Sequence, residues 1–215
     1  MSLNLSVDEV LTTTRSVRKR LDLDKPVPRE VLLECLELAV QAPTGSNAQG
    51  WQWVFVDDPD KKKALADIYR TSWKLYRTMP EPEYAEGDSR GERRQAVVSS
   101  AEYLAENMEK APWLLIPCLA GRADGVPGAV SASFWGSLLP AAWSYMLALR
   151  SRGLGSAWTT LHLLGDGEKQ AADVLGIPDD KYSQGGLFPI AYTKGTDFRP
   201  AKRLPVEQIA HFNTW

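Results

Sequence analysis

The sequence predicts an α+β fold, and three observations carry that reading. Apolar residues recur at helical spacing in several long segments, while four shorter apolar runs have the length of strands. The two kinds of segment intermix without a strict strand–helix–strand rhythm. No internal repeat or low-complexity tract interrupts them, so residues 1–215 read as a single domain. A chain of that length buries about 70% of its unfolded surface, enough for a core without disulfide or metal.

The elements follow in order. Ser6-Val7-Asp8-Glu9 has the form of a capping box, with Ser6 at the N-cap and Glu9 three residues in, and predicts a helix to about Thr13. A basic cluster, Arg15–Arg20, lies at or just past its end. Pro28 opens a second helix from a first-turn position, with Val31, Leu32, Cys35, Leu36, Leu38 and Ala39 on its apolar face. The turn formers Pro43-Thr44-Gly45-Ser46-Asn47 stop it. Trp51–Val56 reads as a strand ended by Asp57-Asp58-Pro59, and Asp60 to about Tyr76 as a helix. Met79–Arg94 holds Pro and Gly breaks and many charges, which predicts an excursion from the core. Helix returns over Glu92–Lys110, then a second strand over Trp113–Ala120 and a long core helix over Phe134–Ser151. Gly153–Thr160 is a turn into a third strand, Glu168–Leu175 a short helix, and Leu187–Tyr192 a fourth strand.

Composition removes several classes of function. A net charge of −2 and a pI near 5.8 leave no basic field for nucleic acid. Cys35 and Cys118 stand in apolar contexts far apart, as buried free thiols suited to a reducing cytoplasm. The first residues lack the charged and apolar regions of a signal peptide. Ala129–Leu149, the longest apolar stretch, is broken by Ser, Gly, Pro and Trp, and reads as a core helix rather than a membrane span. His162 and His211 are the only histidines, too few for a zinc hydrolase site, so no metal is expected and both are placed at the surface or core edge. There is no P-loop and no GxSxG elbow, and Gly153-Leu154-Gly155 lacks the third glycine of a dinucleotide fingerprint. A site so poor in acid–base groups still suits redox work in which a cofactor carries the chemistry.

Three separated segments supply what such a cofactor needs. Thr14-Arg15-Ser16-Val17-Arg18-Lys19-Arg20 and Arg199-Pro200-Ala201-Lys202-Arg203-Leu204-Pro205 put guanidinium forks near both ends of the chain. These cations repel each other unless an anion lies between them, and the guanidinium fork matches phosphate oxygens. Taken alone, the first cluster is equally a solvated helix end favoured by the helix dipole. The loop Pro43-Thr44-Gly45-Ser46-Asn47-Ala48-Gln49-Gly50-Trp51 offers amide and hydroxyl groups able to read a polar ring edge, and also suffices as a plain helix-to-strand turn. Gly153-Leu154-Gly155-Ser156-Ala157-Trp158 lets backbone approach a planar ring closely, and doubles as a helix C-cap. Trp73, Tyr76, Tyr84 and Trp135 are candidates for a substrate channel, though aromatics at helical spacing more often fill a core.

Together these segments resemble the FMN-dependent nitroreductase family, over about Ser6 to Leu204. The family's Arg-Arg-Ser-x-Arg/Lys motif aligns with Arg15, Ser16 and Arg18, with Thr14 in the first Arg position. Its basic-x-Arg-Leu-Pro motif aligns with Arg203-Leu204-Pro205; Ala201 stands where a basic residue is common, and Lys202 or Arg199 compensates. Its Ala-Pro-Ser/Thr-x-x-Asn-x-Gln-Pro-Trp loop aligns at Pro43, Thr44, Asn47, Gln49 and Trp51, with Gly50 replacing Pro. The resemblance implies a nitroreductase-like fold: a central, mostly antiparallel sheet flanked by helices, in an intertwined homodimer with FMN at the interface. It implies that Arg15, Ser16, Arg18, Lys202 and Arg203 hold phosphate, and that Pro43, Thr44, Asn47 and Gln49 reach the ring and ribityl chain from the neighbouring subunit. Backbone of Trp158, Thr159, Thr160 and Leu161 then faces the flavin, and no side chain is catalytic. The implied reaction is ping-pong: NADH or NADPH reduces FMN, and a nitroaromatic, quinone or similar small acceptor reoxidises it. Two alternatives share the motifs. One is a flavin-fragmenting or dehalogenating enzyme with Met79–Arg94 as lid; the other is a protein that sequesters flavin or senses redox state without turnover.

Overall fold

The computed structural model describes residues 2–84 and 88–215. Helix α1 (Val7–Thr13) forms on the capping box: the Glu9 N–H donates to Ser6 Oγ at 3.2 Å, and the Ser6 N–H to Glu9 Oε2 at 2.7 Å. It ends where the hydroxyls of Thr12, Thr13 and Thr14 each donate to a carbonyl four residues back, bonds that compete with helix continuation. Strand β1 (Leu21–Asp22), helix α2 (Arg29–Ala39) and strand β2 (Trp51–Val56) follow. Pro28 is the N-cap of α2 rather than a residue of its first turn. Helix α3 (Pro59–Tyr76) starts one residue earlier than expected, because Asp58 caps it by accepting from the Lys61 N–H at 2.9 Å.

Helix α4 (Ser89–Asn107) is capped by Asp88 and takes back the end of the expected excursion. What remains of Met79–Arg94 outside α4 is Met79 to Asp88, of which residues 85–87 lie outside the described residues. Strand β3 (Trp113–Ala120) leads to helix α5 (Gly128–Ser151), which begins at Gly128 rather than Phe134 and carries Pro140 inside it. Strand β4 (Leu154–Ser156), helix α6 (Gly167–Leu175), and strands β5 (Tyr182–Gln184) and β6 (Phe188–Thr193) complete the order. The four expected strands are therefore joined by two more, β1 and β5. These have two and three residues, too short to leave an apolar run in the sequence.

Among the described residues, six strands form one sheet in the order β1-β6-β3-β2, with β4 also on β6 and β5 on β3, and every strand pair is antiparallel. β3 is the spine. It pairs with β2 from Trp51↔Leu119 to Val56↔Leu114, and its other edge is shared by β5 and β6. Its side chains alternate between two cores. Leu114, Ile116 and Cys118 pack under α3, α4 and α6, whereas Leu115 packs under α2 and α5 beside Leu32, Tyr145 and Phe188. The fold is thus α+β with helices on both faces of an antiparallel sheet. Among the described residues, no helix is long and apolar enough to cross a membrane.

His162 departs from its expected place at the surface or core edge: its relative exposure is 0%. The turn that carries it is pressed against α6, where the missing Cβ of Gly167 makes room for the His162 carbonyl. Its Nε2 pairs with Gln184 Oε1 at 3.1 Å; the Gln184 amide donates to the Glu168 carbonyl at 2.8 Å, and Arg122 grips the Glu168 carboxylate through both Nη atoms. Burial drives the His162 pKa down to about 4.

Candidate functional site

The N-terminal cluster follows α1 and runs alongside β4. Ser16 and Ser156 form a parallel bridge, and the Val17 N–H donates to the Ser156 carbonyl at 2.8 Å. This approach requires Gly155, since a Cβ there would stand 2.7 Å from Thr193 Cγ2 and 3.0 Å from Val17 Cβ. The N-terminal cluster and the Gly153–Thr160 stretch are therefore adjacent through direct backbone pairing. The C-terminal segment joins them when the Arg15 guanidinium donates to the Arg199 carbonyl.

Of these cations, Arg20 is paired with Asp197 at 2.5 Å. Arg15 and Arg18 are half-buried, and among the described residues neither has a carboxylate partner. Burial pulls the Arg15 pKa down, and Arg93, Arg203 and Arg20 push in the same direction. Burial also lowers the pKa of Arg18, opposed by Tyr69. Arg15 Nε, Arg18 Nε and Ser156 Oγ are buried with no hydrogen-bond partner, a costly state unless a ligand satisfies them. Arg18 Nη1 reaches Ser100 Oγ at 3.4 Å and Lys19 Nζ reaches Ser99 Oγ at 2.8 Å, so α4 forms one wall. A pocket of about 220 Å³ opens here, lined by Arg15, Ser16, Arg18, Lys19, Ser100 and Phe198 among others. A dense set of guanidinium and hydroxyl donors, with Arg15 and Arg18 lacking a carboxylate partner among the described residues, fits a phosphate monoester.

The Gly153–Thr160 stretch closes the same region. Thr159 pairs with Leu187 through both its N–H (3.2 Å) and its carbonyl (2.8 Å), so its backbone groups are engaged within the fold. Trp158 turns its ring onto Phe188, centroids 5.2 Å apart, and donates Nε1–H to the Gly185 carbonyl at 2.9 Å. Thr160 is exposed and Leu161 packs against the α3–α6 core. Lys202 and Arg203 are exposed, with Arg203 close enough to Arg15 to depress its pKa.

The Pro43–Gln49 loop stands elsewhere. The Gly45 N–H donates to Ser137 Oγ at 2.9 Å and Trp51 Nε1–H to the Ser137 carbonyl at 2.6 Å, which fasten the loop to α5. Ser46, Asn47 and Gln49 all have positive φ, near 50°, a conformation unusual outside glycine. Two bonds hold it: the Gln49 N–H to Thr44 Oγ1 at 3.2 Å and Gln49 Nε2 to Asn47 Oδ1 at 2.9 Å. Thr44, Gly45 and Ser46 line a separate pocket of about 660 Å³ with Ala129, Val130 and Phe134 of α5. None of its lining residues lines the cationic pocket. Pro43 is exposed beside it.

The four aromatics do not assemble into one channel. Trp73 is buried in the core and stacks on Tyr76 at 5.9 Å, Tyr76 and Tyr84 line a pocket of about 150 Å³ beside Met79–Pro82, and Trp135 packs edge-on against Phe134. Arg93, Ser100, Arg150 and Phe198 escaped the sequence reading. The first two sit on a helix far along the chain, with no local motif to mark them. Ser156 stands in the Gly153–Trp158 stretch, though its sequence gives no sign of its bridge to Ser16.

A match to the Nitroreductase family covers residues 11–192. The chain is 28% identical over 209 residues to an NADH dehydrogenase of Thermus thermophilus, covering 91% of this chain and 90% of the relative. Over 60 residues, 28% of this chain and 20% of the relative, it is 37% identical to iodotyrosine deiodinase 1 of Rattus norvegicus. Among solved structures, oxidized iodotyrosine deiodinase bound to FMN and 3-iodo-L-tyrosine superposes with a TM-score of 0.72 at 21% identity, covering 98% of this chain and 100% of that one. The FMN and NADPH-dependent nitroreductase NfnB from sphigopyxis sp. strain HMH gives a TM-score of 0.70 at 22% identity, covering 98% and 100%. These two likenesses show the shared fold. With the family match spanning most of its length, the chain belongs to the Nitroreductase family.

Proposed function

We propose that this protein is an FMN-dependent NAD(P)H oxidoreductase that reduces nitroaromatics, quinones or related small acceptors, as a homodimer. The observation that carries the reading is the cationic pocket, where Arg15 Nε and Arg18 Nε are buried and, among the described residues, neither arginine has a hydrogen-bond partner at that atom or a carboxylate partner. In this reading Arg15, Ser16, Arg18, Lys202 and Arg203 hold the FMN phosphate. Trp158, Thr160 and Leu161 lie next to the ring, while Thr159, its backbone engaged by Leu187, contributes its side chain. When bound, FMN accepts hydride from a nicotinamide donor and returns reducing equivalents to a small acceptor. The protein's part is to bind and orient.

The homodimer accounts for the separated loop. Fastened to α5 by Ser137, the Pro43–Gln49 loop serves a second copy's cofactor, with Thr44, Asn47 and Gln49 toward its polar edge. Exposed apolar residues on the same helix, Val130, Leu139 and Trp143, together with Val206, Ile209, Phe212 and Trp215 near the C-terminus, support an extended contact between copies. A dehalogenating chemistry on the same cofactor is the second reading, supported by the local likeness to iodotyrosine deiodinase 1. The test is the visible spectrum of protein purified without added cofactor, followed through anaerobic NADPH and then NADH. Flavin bands that bleach support the oxidoreductase; bands that persist with both donors favour flavin sequestration. A protein that stays colourless after incubation with FMN overturns both. Turnover of a nitroaromatic against that of a halogenated tyrosine separates the two enzymatic readings.

A further inference from the structure

The segment that carries Lys202 and Arg203, the latter close to Arg15, has no regular structure of its own between β6 and Pro205. Three arginines hold it from beneath. Arg20 donates through Nε to the Lys194 carbonyl at 2.9 Å and pairs with Asp197 at 2.5 Å. Arg150, only 5% exposed, donates through Nη2 to the Thr196 carbonyl at 3.0 Å and through Nε to Thr13 Oγ1 at 3.1 Å. Arg15 donates to the Arg199 carbonyl. Between them lies Phe198, with the Arg20 guanidinium 4.2 Å and that of Arg150 4.9 Å from its ring centre. Both contacts suit a cation over an aromatic face. Gly195 sets the bend at φ 76°, and a Cβ there would stand 2.8 Å from Arg20 Nη2.

A buried arginine with no carboxylate partner is expensive to keep, and the protein keeps Arg150 with Nη1 unpartnered as well. Burial depresses the Arg150 pKa, Arg20 and Arg15 push it the same way, and Glu9 opposes them. Stability alone does not explain such an arrangement. From it we infer that Phe198, clamped between Arg20 and Arg150, is the positioning residue that sets Lys202 and Arg203 against the cofactor phosphate. Phe198 itself lines the cationic pocket, so the clamp and the proposed phosphate site share a wall. The inference rests on the FMN reading proposed above and adds to it a cause for phosphate selectivity that acts through the backbone of residues 194–203.

Fluorescence titration of cofactor-free protein with FMN and with riboflavin, which lacks the phosphate, tests this. Phe198→Leu keeps an apolar side chain and removes the aromatic face. It is expected to weaken FMN binding about tenfold, the scale of two cation–aromatic contacts, and to leave riboflavin binding within about twofold. Phe198→Trp is expected to restore FMN binding, because its ring serves both guanidinium groups. Two outcomes overturn the clamp: unchanged FMN affinity in Phe198→Leu while Arg15→Ala loses it, or equal losses for FMN and riboflavin. Wild-type protein that binds riboflavin as tightly as FMN, or that keeps FMN in Arg15→Ala, overturns the phosphate site itself.

Discussion

Arg15 shows how little a single side chain declares before its neighbours are placed. Next to a helix end it is an ordinary solvated cation; folded, it is half-buried beside Arg93, Arg203 and Arg20, and burial and these like charges lower its pKa. Replacing Arg15 with Ala is expected to weaken FMN binding by about 1.5–3 kcal/mol, the scale of a charge-assisted hydrogen bond, with riboflavin binding little changed. Equilibrium titration of both ligands checks it. Gly155 makes the complementary point, since its value lies in what it lacks. Gly155→Val would drive side-chain carbons into Thr193 and Val17, a strain expected to cost about 1–3 kcal/mol. At about 2–4 °C per kcal/mol for a chain of this size, thermal unfolding should register the loss. An unchanged midpoint would show that β4 can move away from Val17.

At the scale of elements, the turn that holds His162 carries a pH signature. The folded-state pKa of about 4 lies below the ordinary value of 6.5, so between the two the unfolded chain binds a proton that the folded chain refuses. Stability therefore rises with pH in that window. It is fully present above about 6.5 and is lost as pH falls toward about 4, by an amount on the order of 3 kcal/mol. Chemical denaturation from pH 7 to pH 4 should show this slope, and His162→Gln should flatten it. The same turn shows what sequence reading can reach. The capping box, the apolar stripe of α2 and the long runs of β2 and β3 were legible because local spacing states them. The depth of His162 was not, because it depends on α6 packing across an absent side chain at Gly167. Nor were β1 and β5, whose two or three residues are strands only by virtue of their partners β6 and β3.

Across the whole molecule, the cationic pocket and the pocket beside the Pro43–Gln49 loop share no lining residue. If each loop serves its partner's cofactor, mixed dimers of Arg15→Ala and Asn47→Ala subunits contain one site damaged twice and one site intact. Such dimers, purified through different tags, are expected to bind one FMN per two chains at wild-type affinity. If the loop serves its own subunit, both sites carry one defect and no high-affinity binding returns. Sedimentation velocity on the wild type checks the dimer independently. The thiols offer a simpler reading of the closed core. Burial pushes Cys35 to about 11 and Cys118 to about 12, so thiolate is scarce at neutral pH. A disulfide reagent is expected to label neither until the protein unfolds.

The amino-acid sequence by itself determined the α+β class, most helix and strand identities, and the three segments that tie the chain to its family. Each of these is written in spacing a few residues long, within which hydrogen bonds and apolar faces repeat. The tertiary structure alone decided which of the segments meet. Ser16 pairs with Ser156 across 140 residues, Arg15 reaches Arg199, and the loop is carried away on α5. It also revealed Arg93, Arg150 and Phe198, whose meaning comes from charge and aromatic faces brought together by folding. The physical reason is range: propensity and periodicity act between near neighbours in the chain, whereas uncompensated charge and burial exist only between segments that the sheet has already joined.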